Sequence, residues 1–321
     1  MMAYQSIISD RLEQFVNYRK ASSNWSETYE GNLRLFDKYC SDGFPEACVL
    51  TQEMVDGWCK KRETESNNSC RSRINVVIAF LAYANERGWL NLSVSVIPKR
   101  MPVTCIPHAF TTEELGNFFK ACDSITVRGN HFYDRLNRIT FPVFFRLLFS
   151  SGLRTNEARQ LERKDVDLDN GVINISQSKG YNQHRVALHD SMRALIIQYD
   201  KAVSLLIPDR KYFFPDPKGR MRSRYWVQNH FKALWRVYNS TYATAYALRH
   251  HYATQNINSW KHEGFDFHAR LLYLSRSMGH SILESTKYYY SLVPGLADIM
   301  WELTNKSFND LLPEMPDDEK E

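Results

Sequence analysis

The sequence predicts a mainly α-helical protein of two domains, with a small β-hairpin or sheet in the second domain. Apolar residues recur at helical spacing through residues 1 to about 90. Prolines interrupt this pattern between Leu92 and Ala109, and two short β-type runs then stand between further helical segments. A chain of 321 residues also fits two domains of ordinary size better than one.

The first domain, predicted over residues 1–92, is expected to be a bundle of helices. Its most regular segment runs from Arg73 to Gly88, where apolar residues keep the i, i+3, i+4, i+7 spacing of one helix face: Ile74, Val77, Ile78 and Leu81. Gly88 stands where a helix C-cap is expected. Earlier stretches have similar periodicity, with Ser26 and Thr51 as predicted N-caps: Ile7 to Tyr18, Trp25 to Tyr39 and Thr51 to Lys61.

Residues 93–109 are predicted to link the two domains. Three prolines exclude both a helix and a central strand there: Pro98, Pro102 and Pro107. Lys99 and Arg100 add positive charge. A plain solvated loop and a basic connection close to phosphates both fit this composition.

The second domain is predicted over residues 110–312. Thr111 or Thr112 is expected to cap its first helix, because acidic residues follow in the first turn. A further helix is expected over 141–150. The end of the domain is again helical and is followed by a polar tail at 313–321.

A β-hairpin interrupts the helices of the second domain. The runs at 172–176 and 183–188 have β-type composition and flank a short polar segment. Lys179 and Gly180 are therefore expected near the hairpin tip.

Composition and charge limit the classes of function. No apolar run approaches the length of a membrane span, and charged residues near the N-terminus exclude a signal peptide, so a cytoplasmic protein without a membrane partner is expected. The 6 cysteines are scattered without a Cys-x-x-Cys pair, so we expect no disulfide, metal or cofactor. The net charge of +5 and the pI of about 8.8 permit nucleic-acid binding without establishing it.

Four separated fragments contain the candidate chemistry. In chain order they are Ser151-Gly-Leu-Arg-Thr-Asn-Glu-Ala-Arg159, Ser178-Lys-Gly180, Ala247-Leu-Arg-His-His-Tyr-Ala-Thr254 and Met278-Gly-His-Ser-Ile-Leu-Glu-Ser-Thr-Lys-Tyr-Tyr-Tyr290. This succession resembles the α+β catalytic domain of the tyrosine recombinases, the phage integrase family, over residues 110–312. The helical region before it is similar to that family's DNA-binding core-binding domain. Each fragment alone is common, so the resemblance depends on their ordered combination.

The resemblance implies roles that chemistry explains. Cleavage of a phosphodiester without a metal requires a protein nucleophile, positive charge at the nonbridging oxygens and a proton for the leaving 5′ oxygen. Arg154 and Arg249 are predicted to clamp the phosphate, because a guanidinium is always charged and binds two oxygens at once. Lys179 is the predicted general acid, and His280 adds a hydrogen bond to the phosphate. Glu157, one helical turn beyond Arg154, is predicted to orient that arginine.

Three consecutive tyrosines compete for the role of nucleophile, Tyr288, Tyr289 and Tyr290. Neighbours on a helix point about 100° apart, so only one of them can face the phosphate. In the family pattern the nucleophile lies nine positions after the histidine of the Gly-His box, and 280 + 9 gives 289. Tyr289 is therefore the predicted nucleophile.

Two features depart from the family pattern. The box usually written His-x-x-Arg begins here with Tyr246, and a phenol accepts a proton less readily than an imidazole at neutral pH. Tyr246 is expected to hydrogen-bond the phosphate, while His250 and His251 are nearby substitutes for which helix packing is the more ordinary role. The distance from Arg249 to His280, 280 − 249 = 31 residues, is longer than usual, which predicts an insertion around 259–267.

The resemblance implies a site-specific recombinase or integrase that forms a 3′-phosphotyrosine intermediate. Double-stranded DNA and a homodimer or homotetramer on that DNA are the implied partners. Little chain precedes Tyr4, which favours a simple recombinase or a mobile-element transposase over an integrase with an extra arm-binding domain. The alternatives are type IB topoisomerase-like cleavage and resealing, or a DNA-binding protein impaired in catalysis.

Overall fold

The computed structural model describes residues 4–22, 25–101, 107–125, 131–176, 183–260 and 267–280, together with residues 286 and 289. The predicted fold class is confirmed, because the described residues are mostly helical and include one small sheet. The chain divides into two compact units, Met1–Cys105 and Ile106–Glu321, at a boundary within the predicted linker.

The described part of the first unit contains α1 (Ser9–Ala21), α2 (Glu27–Gly43), α3 (Gln52–Cys59) and α4 (Asn67–Glu86). Helix α4 packs against each of the other three, and its residues Val77, Phe80 and Leu81 are buried in their shared core. Ser26 and Thr51 are the N-caps of α2 and α3, as predicted, because each side chain accepts a hydrogen bond from a first-turn amide.

Helix α4 ends as the sequence predicts. Gly88 has a left-handed φ of 67° and its amide donates to the Asn85 carbonyl, while the Trp89 amide donates to the Ala84 carbonyl. This pair of hydrogen bonds is the Schellman motif, which requires a residue that tolerates positive φ.

Residues 93–101 of the predicted linker lie along the first unit. Side chains of α3 and α4 bind the main chain of this segment: Gln52 binds Ser93, Arg71 binds the Pro98 carbonyl, Asn67 binds the Lys99 carbonyl, and Asn68 binds both the amide and the carbonyl of Met101. Side-chain amides thus satisfy the backbone of a stretch that its prolines keep out of secondary structure.

The described helices of the second unit are α5 (Thr112–Asp123), α6 (Phe132–Ser151), α7 (Thr155–Gln160), α8 (Asp190–Leu206), α9 (Arg224–Tyr238), α10 (Ala247–Ser259) and α11 (Phe267–Ser277). Thr111 forms a capping box with Glu114 at the start of α5, in agreement with the sequence. Helix α6 contacts α5, α8 and α10, and Phe144, Phe145 and Leu148 are buried in the core around it.

Helix α6 starts earlier than the sequence suggests. Its first residue is Phe132, whereas the sequence predicts a helix only from Phe141, and Pro142 lies inside it. Proline is favoured in the first turn and breaks hydrogen bonding farther in, so the local pattern points to a start beside Pro142. Burial of the residues that follow outweighs the missing hydrogen bond.

The sheet has three antiparallel strands in the order β1 (Val166–Asp167), β2 (Val172–Ile175) and β3 (His184–Ala187). The predicted hairpin corresponds to β2 and β3, and Ile175 pairs with His184 at its open end. The two-residue β1 is not predicted by the sequence.

Several predicted features lie outside the described residues. They are the hairpin tip with Lys179, most of the insertion between α10 and α11, the terminal amphipathic segment and the tail at 313–321. In the part of the chain that is described, no helix combines the length and apolar character needed to cross a membrane.

Candidate active site

The first arginine of the candidate site follows a glycine-capped helix end. Helix α6 stops at Gly152, which has a φ of 64° and whose amide donates to the Leu148 carbonyl. The chain then turns directly into α7, with Arg154 at the N-cap. The buried Glu157 carboxylate accepts from the Arg154 amide at 2.8 Å and from its Nη1 at 2.5 Å. Glu157 therefore holds both the main chain and the guanidinium of Arg154.

The second arginine is almost completely buried. Arg249 projects from α10 and is 1% exposed. Its Nη1 donates to the Gly152 carbonyl at 2.6 Å, and its Nη2 donates to the Met278 carbonyl at 2.7 Å. Burial lowers the pKa of Arg249, and the nearby charge of Arg154 adds to this effect. A guanidinium stays protonated in proteins, so positive charge is concentrated at this point.

The Gly-His box is also a helix end. Gly279, with a φ of 63°, donates its amide to the Arg276 carbonyl at 2.9 Å, and the His280 amide donates to the Ser275 carbonyl at 3.0 Å. These two bonds form a Schellman motif at the end of α11. The Gly279 carbonyl accepts from Arg154 Nη2 at 2.9 Å. Both arginines are thus held by carbonyl oxygens at helix C-termini, where the helix dipole favours positive charge.

His280 is a neutral imidazole in this arrangement. Burial, together with the charges of Arg249 and Arg154, lowers the pKa of His280 to about 4. Its Nε2 lies 3.0 Å from Arg249 Nη2, and its Nδ1 lies 2.7 Å from Thr286 Oγ1. Because Arg249 can only donate, Nε2 accepts and Nδ1 carries the proton donated to Thr286. The predicted hydrogen bond from His280 to a phosphate requires this contact with Arg249 to be exchanged.

Tyr289 lies between two imidazole rings. Its ring centroid is 6.2 Å from that of His280, in a nearly parallel stack, and 5.5 Å from that of His250. It is 3% exposed and packs in an apolar cluster with side chains of α10 and α11: Ala253, Ile257, Leu274 and Met278. The predicted nucleophile therefore lies beside the residues that hold the two arginines.

Tyr246 is 45% exposed at the N-terminal end of α10. Its ring centroid is 5.0 Å from that of His250, so His250 has Tyr246 as one ring neighbour and Tyr289 as another. Burial and the Arg249 charge lower the pKa of His250 to about 4. His251 instead stacks on Phe149 in the hydrophobic interior.

One residue in this region has no role predicted from the sequence. His184, the first residue of β3, has a side chain that is only 5% exposed and an Nε2 that is 4.0 Å from the Glu157 carboxylate. In the sequence no second metal ligand stands at zinc spacing from it, and no local signal distinguishes it. His184 also lines an open groove of about 810 Å³, together with Arg185, Arg276 and His280.

The described residues bring together Arg154, Arg249, His280 and Tyr289 from distant parts of the sequence, with Glu157 and His250 in contact with them. Fixed positive charge beside a phenol is suited to phosphoryl transfer, because the guanidinium groups can stabilise charge that develops on phosphate oxygens. The fold and the site therefore define a candidate phosphoryl-transfer centre.

Comparison with known proteins gives the family. Residues 109–294 match the model of the phage integrase family. The chain belongs to this family, the tyrosine recombinases. It is 23% identical to the putative integrase/recombinase y4rE of Sinorhizobium fredii over 97% of this chain and 99% of that protein. It is 29% identical to tyrosine recombinase XerA of Thermococcus kodakarensis over 69% of this chain and 71% of that protein.

Solved structures share the fold. The XerH site-specific recombinase in a pre-cleavage complex with difH substrate superposes with a TM-score of 0.60 at 19% identity, over 82% of this chain and 76% of that chain. The Tn1549 transposon integrase in complex with transposon right-end DNA gives a TM-score of 0.58 at 15% identity, over 89% and 95% of the two chains.

Proposed function

We propose that this protein is a site-specific DNA recombinase that cuts and rejoins double-stranded DNA through a 3′-phosphotyrosine intermediate. The observation that supports this most strongly is the convergence of Arg154, Arg249 and His280 beside Tyr289. Membership of the phage integrase family and likeness to proteins named integrases and recombinases support the same activity.

In the proposed reaction, the Tyr289 hydroxyl oxygen attacks the scissile phosphorus and the bond from phosphorus to the 5′ oxygen breaks. Arg154 and Arg249 stabilise the charge on the nonbridging oxygens, and Lys179 gives a proton to the departing 5′ oxygen. The phenol proton passes through water to solvent, because imidazoles with a pKa of about 4, His250 and His280, are weak acceptors. A 5′ hydroxyl reverses the step and regenerates Tyr289, so no ATP is consumed.

The proposal extends to partners and domains. XerH and the Tn1549 integrase were solved on DNA, and lambda integrase as a dimer and a tetramer on DNA, so we propose a homodimer or homotetramer of this chain on double-stranded DNA. Exposed Arg185 and Arg276 beside the site can bind backbone phosphates. Residues 1–92 are proposed as the DNA-binding core domain and 110–312 as the catalytic domain. A cytoplasmic location and a role in a mobile element complete the proposal.

Covalent capture tests the activity on a target of any sequence. The protein is incubated in EDTA with a pool of nicked duplexes that contain a randomised segment, and protein joined to DNA is isolated under denaturing conditions and sequenced. We expect a defined sequence to be enriched and mass spectrometry to place the nucleotide on Tyr289. Tyr289→Phe should bind the recovered duplex without forming the adduct, because only the hydroxyl is removed.

The outcomes separate the alternatives. Strand exchange between two recovered duplexes identifies a recombinase, whereas relaxation of supercoiled plasmid without exchange identifies topoisomerase-like activity. Sequence-specific binding with no adduct identifies a protein impaired in catalysis. An adduct on another tyrosine contradicts the role of Tyr289.

A further inference from the structure

We infer that His184 is a positioning residue that fixes the turn at residues 278–280 against the Arg154–Glu157 pair. This role rests on the proposed function and adds a residue to its machinery. The carbonyl oxygens of the turn, at Met278 and Gly279, accept from the two arginines. A shift of this turn therefore moves both guanidinium groups and His280 together.

The His184 ring occupies the space beside Gly279. A Cβ atom added at Gly279 would lie 2.6 Å from both Cε1 and Nδ1 of His184, which is closer than real Cβ contacts. The ring therefore packs directly on the Gly279 main chain, and only glycine permits this approach. Strand β3 and helix α11 also contact each other at this place.

The opposite edge of the same ring faces the carboxylate that holds Arg154. His184 Nε2 lies 4.0 Å from Glu157 Oε2, and both side chains are almost fully buried. One rigid ring thus contacts the turn on one side and approaches the Arg154–Glu157 pair on the other. Pairing of His184 with Ile175 fixes its main chain in the sheet. Removal of the ring leaves space into which the turn can move.

Displacement of catalytic groups by about 1 Å can lower a reaction rate about 100-fold. We therefore expect His184→Ala to retain folding and DNA binding but to lower cleavage of the duplex recovered by covalent capture about 10- to 100-fold. His184→Phe keeps a planar ring against Gly279 and should restore most of the rate. His189→Ala is the matched control, since His189 caps α8 and contacts Ser191.

A substrate without charge on the scissile link separates a positioning role from a general structural one. In a methylphosphonate link one nonbridging oxygen is replaced by methyl, so less charge needs to be stabilised by the arginines. The loss caused by His184→Ala should be smaller on this link than on the ordinary phosphodiester, as it should be for Arg154→Ala. Equal losses on the two links, or wild-type rates on both, overturn the inference.

A double-mutant cycle in stability tests the contact without any reaction. Gly279→Ala should lower the melting temperature, and its effect should shrink in the His184→Ala background because the ring no longer occupies the space of the new methyl group. Additive effects contradict the inference even if cleavage is normal. Coupled effects in a protein that forms no adduct with DNA instead contradict the proposed function alone.

Discussion

The two arginines of the site have different surroundings, and this predicts different consequences of their removal. The Arg154 side chain is 23% exposed and is held mainly by Glu157 and the Gly279 carbonyl. Arg249 is buried and satisfies the carbonyls of Gly152 and Met278. Buried carbonyls left without a donor destabilise a fold by about 1–3 kcal/mol each, so Arg249 supports the structure as well as the charge.

We expect Arg154→Ala and Arg249→Ala each to lower single-turnover cleavage by about 100-fold or more, through loss of charge stabilisation. Arg249→Ala should also lower the melting temperature, whereas Arg154→Ala should change it less. Both variants should retain most of their affinity for DNA, because other contacts supply it. Wild-type cleavage by either purified variant contradicts the role of that arginine.

Lys179 is tested by a change in the leaving group. Lys179→Ala should slow cleavage of an ordinary link, but a link with sulfur at the 5′ bridging position should be cleaved nearly as well as by the wild type. A thiolate departs without a proton, so the general acid becomes unnecessary. If sulfur gives no relative rescue, Lys179 is a DNA contact and not the acid.

The depressed pKa of His280 predicts how stability depends on pH. Its folded-state pKa of about 4 lies below the ordinary 6.5, so the unfolded chain takes up a proton first on acidification. The free energy of unfolding should therefore be highest above about pH 6.5 and fall between about pH 6.5 and 4. His280→Asn should flatten this dependence in part, with His250 responsible for a further part. Urea unfolding from pH 8 to 4 measures the effect, and an unchanged slope in the His280→Asn, His250→Asn double variant contradicts it.

At the scale of elements, the end of α6 predicts that Gly152 is indispensable. A Cβ at this left-handed position would overlap the Tyr252 ring. Gly152→Ala should therefore lower the free energy of unfolding by about 2–5 kcal/mol, from backbone strain and from the overlap. Gly116 is the matched control, because it lies within α5 and a new methyl group there meets nothing within 4 Å. Gly116→Ala should stabilise by about 0.5–1 kcal/mol. Similar denaturation midpoints for the two variants contradict this expectation.

Elements whose ends depend on local chemistry were predictable from the sequence. The caps at Ser26, Thr51, Gly88 and Thr111 are confirmed, because capping involves residues within one helical turn. The early start of α6 and the two-residue β1 were not predictable, since packing and strand pairing determine them rather than local composition.

The same distinction applies to the candidate site. Residues with a characteristic chemistry, such as Arg154, Arg249 and Tyr289, could be chosen from their order in the sequence. His184 could not, because its contact with Gly279 joins strand to helix end far along the chain. The carbonyl oxygens that bind the arginines also give no signal in a sequence, since every residue has one.

At the scale of the whole molecule, charge predicts assembly that depends on DNA. A net charge of +5 opposes close association of free copies, and a polyanion removes this repulsion. We expect sedimentation to give a monomer without DNA, one protomer on half of the recovered site, two on the full site and four on a four-way junction. Tyr289→Phe should assemble in the same way. A stable dimer without DNA, or one protomer on the full site, contradicts the prediction.

Attachment of both arginines to helix ends makes local fraying a cause of inactivation. Amide exchange at Gly152, Gly279 and His280 reports the hydrogen bonds that close the last turns of α6 and α11. When either turn unwinds, the carbonyls that hold the guanidinium groups disperse although the two cores remain packed. The positive centre thus persists only as long as the weakest of a few terminal hydrogen bonds, and on warming it is lost before the rest of the fold melts.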